Sequence, residues 1–144
     1  MVKKALPTDA ALVAQVAHQL WPHHALEDFA ADYELTLQEQ NTAVFLYMVE
    51  DVPTGFAHVS LRHDYVEGTS TCPVGFLEGI FVLDLFRGHG MAASLLAACE
   101  DWARSRGCTE FASDCELDNE ESIAFHGKLG FTEVNRVVCF CKSL

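Results

Sequence analysis

Apolar and polar positions along the chain follow two periods, and each period marks an element. Val2 to Ala5 reads as a short strand. Leu12, Val13, Val16 and Leu20 then recur at helical spacing behind Thr8, a residue suited to capping a helix that runs to about Leu20. Trp21-Pro22 ends that helix. A second, acidic helix is predicted over about Leu26 to Gln40, with Phe29, Tyr33 and Leu37 on one stripe. Ala43 to Glu50 and Gly55 to His63 carry strand patterns, joined by Asp51-Val52-Pro53-Thr54-Gly55, a run of turn composition. A polar loop covers His63 to Pro73. Beyond it come a strand over Leu77 to Leu83, a helix from about Gly90 to Ser105, a strand over Glu110 to Ser113, a helix over Asn119 to Leu129, and terminal strand material from Phe131 to Cys141. A long antiparallel first part followed by two strand-helix units is a mixed α/β (α+β) order. With no repeat and no low-complexity linker, residues 1–144 read as one domain.

Composition narrows the class. Half of the 144 residues are hydrophobic, enough to bury a sizeable core. No secretory leader pattern or long apolar stretch is seen, which predicts a cytoplasmic protein that makes no membrane contact. The six cysteines show no C-x-x-C pair and no zinc spacing, and read mainly as buried or half-buried thiols. His23 and His24 beside Asp28 lack a third close ligand, so no metal is expected. Nine basic against 21 acidic residues give a formal charge of −12, which argues against nucleic acid and suits a polycationic small molecule.

The candidate chemistry starts at Leu77 to Ala92. An apolar strand there leads through Arg87-Gly88-His89-Gly90 into a helix start, and unpartnered amides, helix dipole and glycines together form a place to hold a phosphate. Gly88 to Ala93 also fits the dinucleotide fingerprint G-x-G-x-x-A. That reading fails because Asp84 to Arg87 separate the strand from the first glycine and too little chain follows for a doubly wound sheet. No lysine follows to complete a mononucleotide P-loop.

Arg87-Gly88-His89-Gly90-Met91-Ala92 resembles the R/Q-x-x-G-x-G/A signature of the GNAT superfamily of acyl-CoA-dependent N-acetyltransferases. Asn119 to Phe131 resembles that family's second block, N-x-x-S/A-x-x-F/L-Y-x-K-x-G-F, in the expected order. The resemblance implies a mixed, mostly antiparallel central sheet flanked by helices, with two middle strands that splay to admit the pantetheine arm of acetyl-CoA. On this chain the gap falls between Leu77–Leu83 and Glu110–Asp114. Backbone groups of Ile80, Phe81 and Val82 would pair with the cofactor, and Arg87, Gly88, His89, Gly90, Met91 and Ala92 would hold its pyrophosphate, with Asn119 and His126 as further contacts. Four separated blocks, around Trp21-Pro22-His23-His24, Arg62 to Gly68, Phe76 to Val82 and Ala112-Ser113-Asp114, are similar to the aminoglycoside 6'-N-acetyltransferases. This second resemblance implies an antibiotic-inactivating enzyme, a homodimer with C-terminal strands at its interface, and an aminoglycoside bound by Trp21, His24, Tyr65, Glu78 and Asp114. Another polyamine, a protein amine, or a non-catalytic acyl-CoA sensor are the alternatives.

Chemistry assigns roles within that frame. A primary amine with a pKa near 10 is mostly protonated at neutral pH, so acetyl transfer needs a group that takes up its proton. Glu78 and Asp114 are the carboxylates placed to bind the ammonium and to accept or pass on that proton. A backbone N–H near Ile80 or Phe81 could stabilise negative charge on the carbonyl oxygen. Many relatives carry tyrosine where this chain has His126, so the protonation of the leaving thiolate is open. His126 serves it, contacts cofactor, or packs on its helix.

Overall fold

A computed structural model describes residues 1–144. Its five strands lie in the order β1-β2-β3-β4-β5, with β1 (Val2–Lys4), β2 (Thr42–Val49), β3 (Val52–Arg62) and β4 (Val74–Val82) antiparallel to their neighbours and β5 (Phe111–Ser113) parallel to β4. Helices α1 (Ala10–Leu20) and α2 (Leu26–Thr36) cover one face, α3 (Met91–Ser105) covers the other, and α4 (Glu120–Lys128) follows β5. Strands covered on both faces have no polar side to show. In β2, Val44, Leu46 and Met48 point into the α1–α2 core, while Ala43 points into the α3 core beside Leu95, Leu96, Cys99 and Trp102.

Helix α1 buries Val13, Ala14, Val16 and Ala17 as its spacing demands. It begins later than the sequence suggests. Thr8 lies inside a 3-10 turn over Pro7–Asp9, and Asp9 ties the entry instead: its carboxylate accepts the Leu6 amide at 2.8 Å and pairs with Lys3 at 2.9 Å. Helix α2 buries Phe29 and Tyr33 but stops at Thr36, because Gln38 and Glu39 turn back in tight i to i−3 bonds.

Two β-bulges set the register. In the β3–β4 pair, His58 faces Gly79 and Val59 faces Leu77, so Glu78 is the extra residue. Upstream of it Val74 and Phe76 pack away from α3. Downstream Phe81 joins the α1–α2 core, and Ile80 and Val82 join the α3 core. The second bulge lies between Tyr47 and Met48, where buried Thr54 donates to the Tyr47 carbonyl at 3.1 Å.

The expected terminal strand is absent. Residues 131–144 run without strand pairing, and Val134, Val137, Val138 and Phe140 are all exposed. Within one copy of the chain no further strand stands beside β5 to receive them. For that reason the splayed pair, expected in the middle of the sheet, lies at its edge. Four of the six cysteines, Cys72, Cys115, Cys139 and Cys141, are also exposed, against the expected burial. Two belong to this unpaired segment, and Cys115 lies on the turn after β5.

Candidate active site

Strands β4 and β5 pair only from Gly75 to Leu77 and from Phe111 to Ser113. Beyond Leu77, β4 continues through Val82 with no strand on that side, and its rim is a row of backbone groups facing a gap. The parting is pinned by side chains. Ser113 Oγ lies 3.2 Å from the Leu77 carbonyl and 2.8 Å from Nε2 of His126 on α4. The Nδ1 atom of His126 lies 2.7 Å from the Ser122 carbonyl, which can only accept, so Nδ1 carries a proton. With its one proton given to the Leu77 carbonyl, the Ser113 hydroxyl accepts at Nε2, so both ring nitrogens of His126 are engaged. Through these bonds His126 bridges α4 to β5.

At the far end of β4 a 3-10 turn over Asp84–Phe86 leads into Arg87-Gly88-His89-Gly90 and then α3. Gly90 is the N-cap of α3 in left-handed backbone, φ 76°, and Gly88 has φ 82°. A Cβ on either glycine would meet nothing within 4 Å, so the space before the helix end is open, and no side chain caps it. The first amides of α3 are therefore presented to a ligand. Arg87 braces this loop: Nε donates to the Val82 carbonyl at 2.9 Å, and the guanidinium pairs with Asp84 at 3.1 Å and with Glu121 at 3.7 Å. The Nδ1 atom of His89 lies 3.2 Å from the Phe86 carbonyl, holding that ring within its own loop. Asn119 accepts the Ser122 amide at 3.1 Å and thereby caps α4.

On the α1–α2 face a cleft of about 470 Å³ is lined by Trp21, Glu39, Thr42, His58, Ser60 and Glu78, with Thr36, Asn41 and Leu61 completing it. Trp21 serves both core and cleft. Its ring packs against Phe29 and Phe56 at 6.0 and 5.8 Å and lies so close over Gly79 that no Cβ would fit there. Glu78 is not a free acid. Ser60 donates to it, and Arg62 grips both its oxygens, Nη2 lying 2.9 and 3.1 Å away, while stacking 4.0 Å above the Phe76 ring. His58 stands beside it with Nε2 2.8 Å from Thr42 Oγ1. Burial holds the His58 imidazole below its ordinary pKa, and the Glu78 and Glu39 carboxylates pull the other way without reversing it.

Of the substrate residues named from the sequence, Trp21 and Glu78 line this cleft, and His24, Tyr65 and Asp114 do not. His24 packs on Phe29 at 5.1 Å, Tyr65 is exposed on the loop before β4, and Asp114 is exposed just past β5. Ile80, Phe81 and Val82 all lie along the open rim, although the Val82 side chain is core and its carbonyl is already bonded to Arg87. His58, Glu39 and Ser60 carry no motif, and Arg62 opens the Arg62 to Gly68 block without having been named as a site residue. The signal for His58 and Ser60 was their place as polar residues within an apolar strand, the same signal that marks Glu78.

The chain matches the family model described as Acetyltransferase (GNAT) family over residues 11–131. It is 47% identical over 124 residues to an aminoglycoside N(6')-acetyltransferase type 1 of Salmonella typhimurium, covering 86% of each chain. To the enzyme of the same name from Stenotrophomonas maltophilia it is 44% identical over 140 residues, covering 96% of this chain and 90% of the relative. Among solved structures it resembles AAC(6')-Iy in complex with the bisubstrate analog CoA-S-monomethyl-acetylneamine. The TM-score is 0.94 at 41% identity, covering 100% of this chain and 98% of the other.

Proposed function

The chain belongs to the acetyltransferase (GNAT) family, and from that starting point we propose that it acetylates the 6'-amine of aminoglycoside antibiotics with acetyl-CoA, by direct attack in a ternary complex, and so inactivates them. One observation carries the reading: a single strand, β4, runs from an acid-lined cleft to an open phosphate cradle. Polycation and coenzyme would thus meet on one backbone.

The residues fit the coenzyme. Gly88 and Gly90 leave the space a pyrophosphate needs, the α3 amides and dipole favour its charge, and the unpaired β4 rim at Ile80 to Val82 offers amides and carbonyls to a pantetheine arm as a neighbouring strand would. When bound, acetyl-CoA supplies a thioester carbonyl to the amine and a thiolate as leaving group. Glu78, clamped by Arg62 and Ser60, presents negative charge to the ammonium. Trp21 provides a flat apolar wall for a sugar ring. The amides of Ile80 and Val82, which alternate away from β3, are the donors available to a developing oxyanion. Asp114, exposed beyond the parting strands, would reach a second amino group of the substrate only from the far side of the gap, with Tyr65 and His24 as outer contacts.

The same reading makes the protein a cytoplasmic homodimer. No helix is long and apolar enough to cross a membrane. Val134, Val137, Val138 and Phe140 lie exposed on a segment without a strand partner, β5 ends the sheet with a free edge, and a second copy is the natural cover for both. Sedimentation should give twice the 15.9 kDa chain mass, and loss of residues 131–144 should leave a monomer; a full-length monomer refutes the assembly.

The function itself is tested by thiol release from acetyl-CoA with kanamycin, run beside an aminoglycoside that carries hydroxyl instead of amine at 6'. Turnover with the 6'-amino compound alone is expected. Turnover with both refutes the regiochemistry, and silence with both moves the activity to another amine or to acyl-CoA sensing.

A further inference from the structure

Resting on the acetyl-transfer reading, we propose that His58, through Nδ1, takes the proton from the acceptor ammonium, and that Glu78 holds the ammonium without being its base. The hydrogen bonds around Thr42 fix the imidazole. Thr42 Oγ1 donates its one proton to the Val59 carbonyl at 2.9 Å, so toward His58 it can only accept, and Nε2 must be the donor at 2.8 Å. The neutral ring then carries its lone pair on Nδ1. That atom has no partner in the protein, yet it is not among the buried unpaired polar atoms, of which Trp102 Nε1 is the sole case. It is open, and His58 lines the cleft.

The other candidates are already engaged. Both oxygens of Glu78 are gripped by Arg62 and one also accepts from Ser60, so its lone pairs are already occupied. His126, at the parting of β4 and β5, has both ring nitrogens engaged, Nδ1 with the Ser122 carbonyl and Nε2 with the Ser113 hydroxyl. Of the two histidines, only His58 leaves a ring nitrogen free. The charged and titratable groups around it are Glu78 on β4, Glu39 after α2, and Tyr33 on α2, whose ring meets the imidazole edge-on at 5.9 Å.

The step balances without redox change. An N–H bond of the ammonium breaks and the Nδ1–H bond of His58 forms, directly or through one water. The freed amine lone pair attacks the thioester carbonyl, and the C–S bond breaks. The second amine proton ends on the sulfur, so ammonium and thioester become amide, thiol and one proton, which His58 passes to solvent.

The test is His58→Gln, which keeps a donor for Thr42 and cannot take a proton near neutral pH. For the 6'-amino substrate, kcat/KM should fall about 10²-fold, the low end for loss of a general base, with acetyl-CoA affinity unchanged. Wild-type kcat/KM should show an acid limb with its midpoint below 6.5, the side to which burial moves this imidazole, and His58→Gln should lack that limb. A His58→Gln rate within about threefold of wild type, acid limb retained, overturns the proposal. Should that variant fail to fold, the wild-type profile decides alone: the absence of any acid limb on the low side of the ordinary histidine range overturns it. A wild type inactive on the 6'-amino compound, whatever the variant does, overturns the acetyl-transfer reading itself, which keeps the two failures apart.

Discussion

Replacing Gly90 by valine is expected to weaken acetyl-CoA binding about 10³-fold while the protein stays folded. Two effects add. The N-cap backbone sits at φ 76°, where a side chain costs about 1–2 kcal/mol and a β-branched one is a true outlier. The chain would relieve that strain by rotating the peptide, which swings the Met91 amide away from the ligand. The new side chain also enters space that is open in the protein, since a Cβ there meets nothing within 4 Å. Hydrogen bonds to a charged group are worth about 1.5–3 kcal/mol each, so losing two gives roughly the stated factor. Titration calorimetry with coenzyme A and a thermal melt separate binding from folding. Unchanged affinity would remove the loop from the coenzyme site.

The second large effect is expected at Glu78. Glu78→Gln should lower kcat/KM for the aminoglycoside on the order of 10³-fold, mostly through KM, with coenzyme A affinity nearly intact. The substitution removes the charge that meets the ammonium, about 1.5–3 kcal/mol for a charge-assisted hydrogen bond. It also leaves Arg62 without its anionic partner beside a polycation. Two unit charges 4 Å apart interact with about 4 kcal/mol near a protein surface, a ceiling here because the Arg62 side chain is 45% exposed. Steady-state kinetics in both substrates decides the matter. If kcat falls and KM does not, Glu78 takes the proton itself, and the division of labour with His58 is wrong.

Much of the fold was legible because burial on both sheet faces writes long apolar runs, and the helix stripes at Val13, Val16 and Phe29, Tyr33 leave one packing solution. The glycine loop before α3 was legible for a different reason: left-handed backbone at a helix start needs glycine, and Gly88 and Gly90 show it directly. Three features were hidden. The bulge at Glu78 is a matter of pairing between strands, which periodicity along one strand does not encode. The early end of α2 depends on two tight turns at Gln38 and Glu39, and it is this that brings Glu39 into the cleft. Val134, Val137, Val138 and Phe140 have a strand's composition, but a strand exists only where another stands beside it.

The partnership of Arg62 and Glu78 explains why Glu78 stood out in the sequence while its state did not. An acid inside an apolar strand signals a partner or a ligand. Here it has the partner, sixteen residues away on β3 and invisible to local pattern, and stays exposed enough to meet the ligand as well. Asp114 gave a similar local signal at a strand end, yet it lies in solvent outside the cleft.

The bulge at Glu78 also bears on how such a protein can change over generations. It divides β4 into two separately registered halves: Val74 to Leu77, which holds the pairing with β5, and Gly79 to Val82, which forms the rim along the gap. Alterations in the loop before the strand, or in which side chains face the cleft, can be absorbed at the extra residue before they reach the rim. Donor chemistry is held constant while acceptor preference drifts, so a lineage meeting new antibiotics could retune one half of a strand without relearning the other.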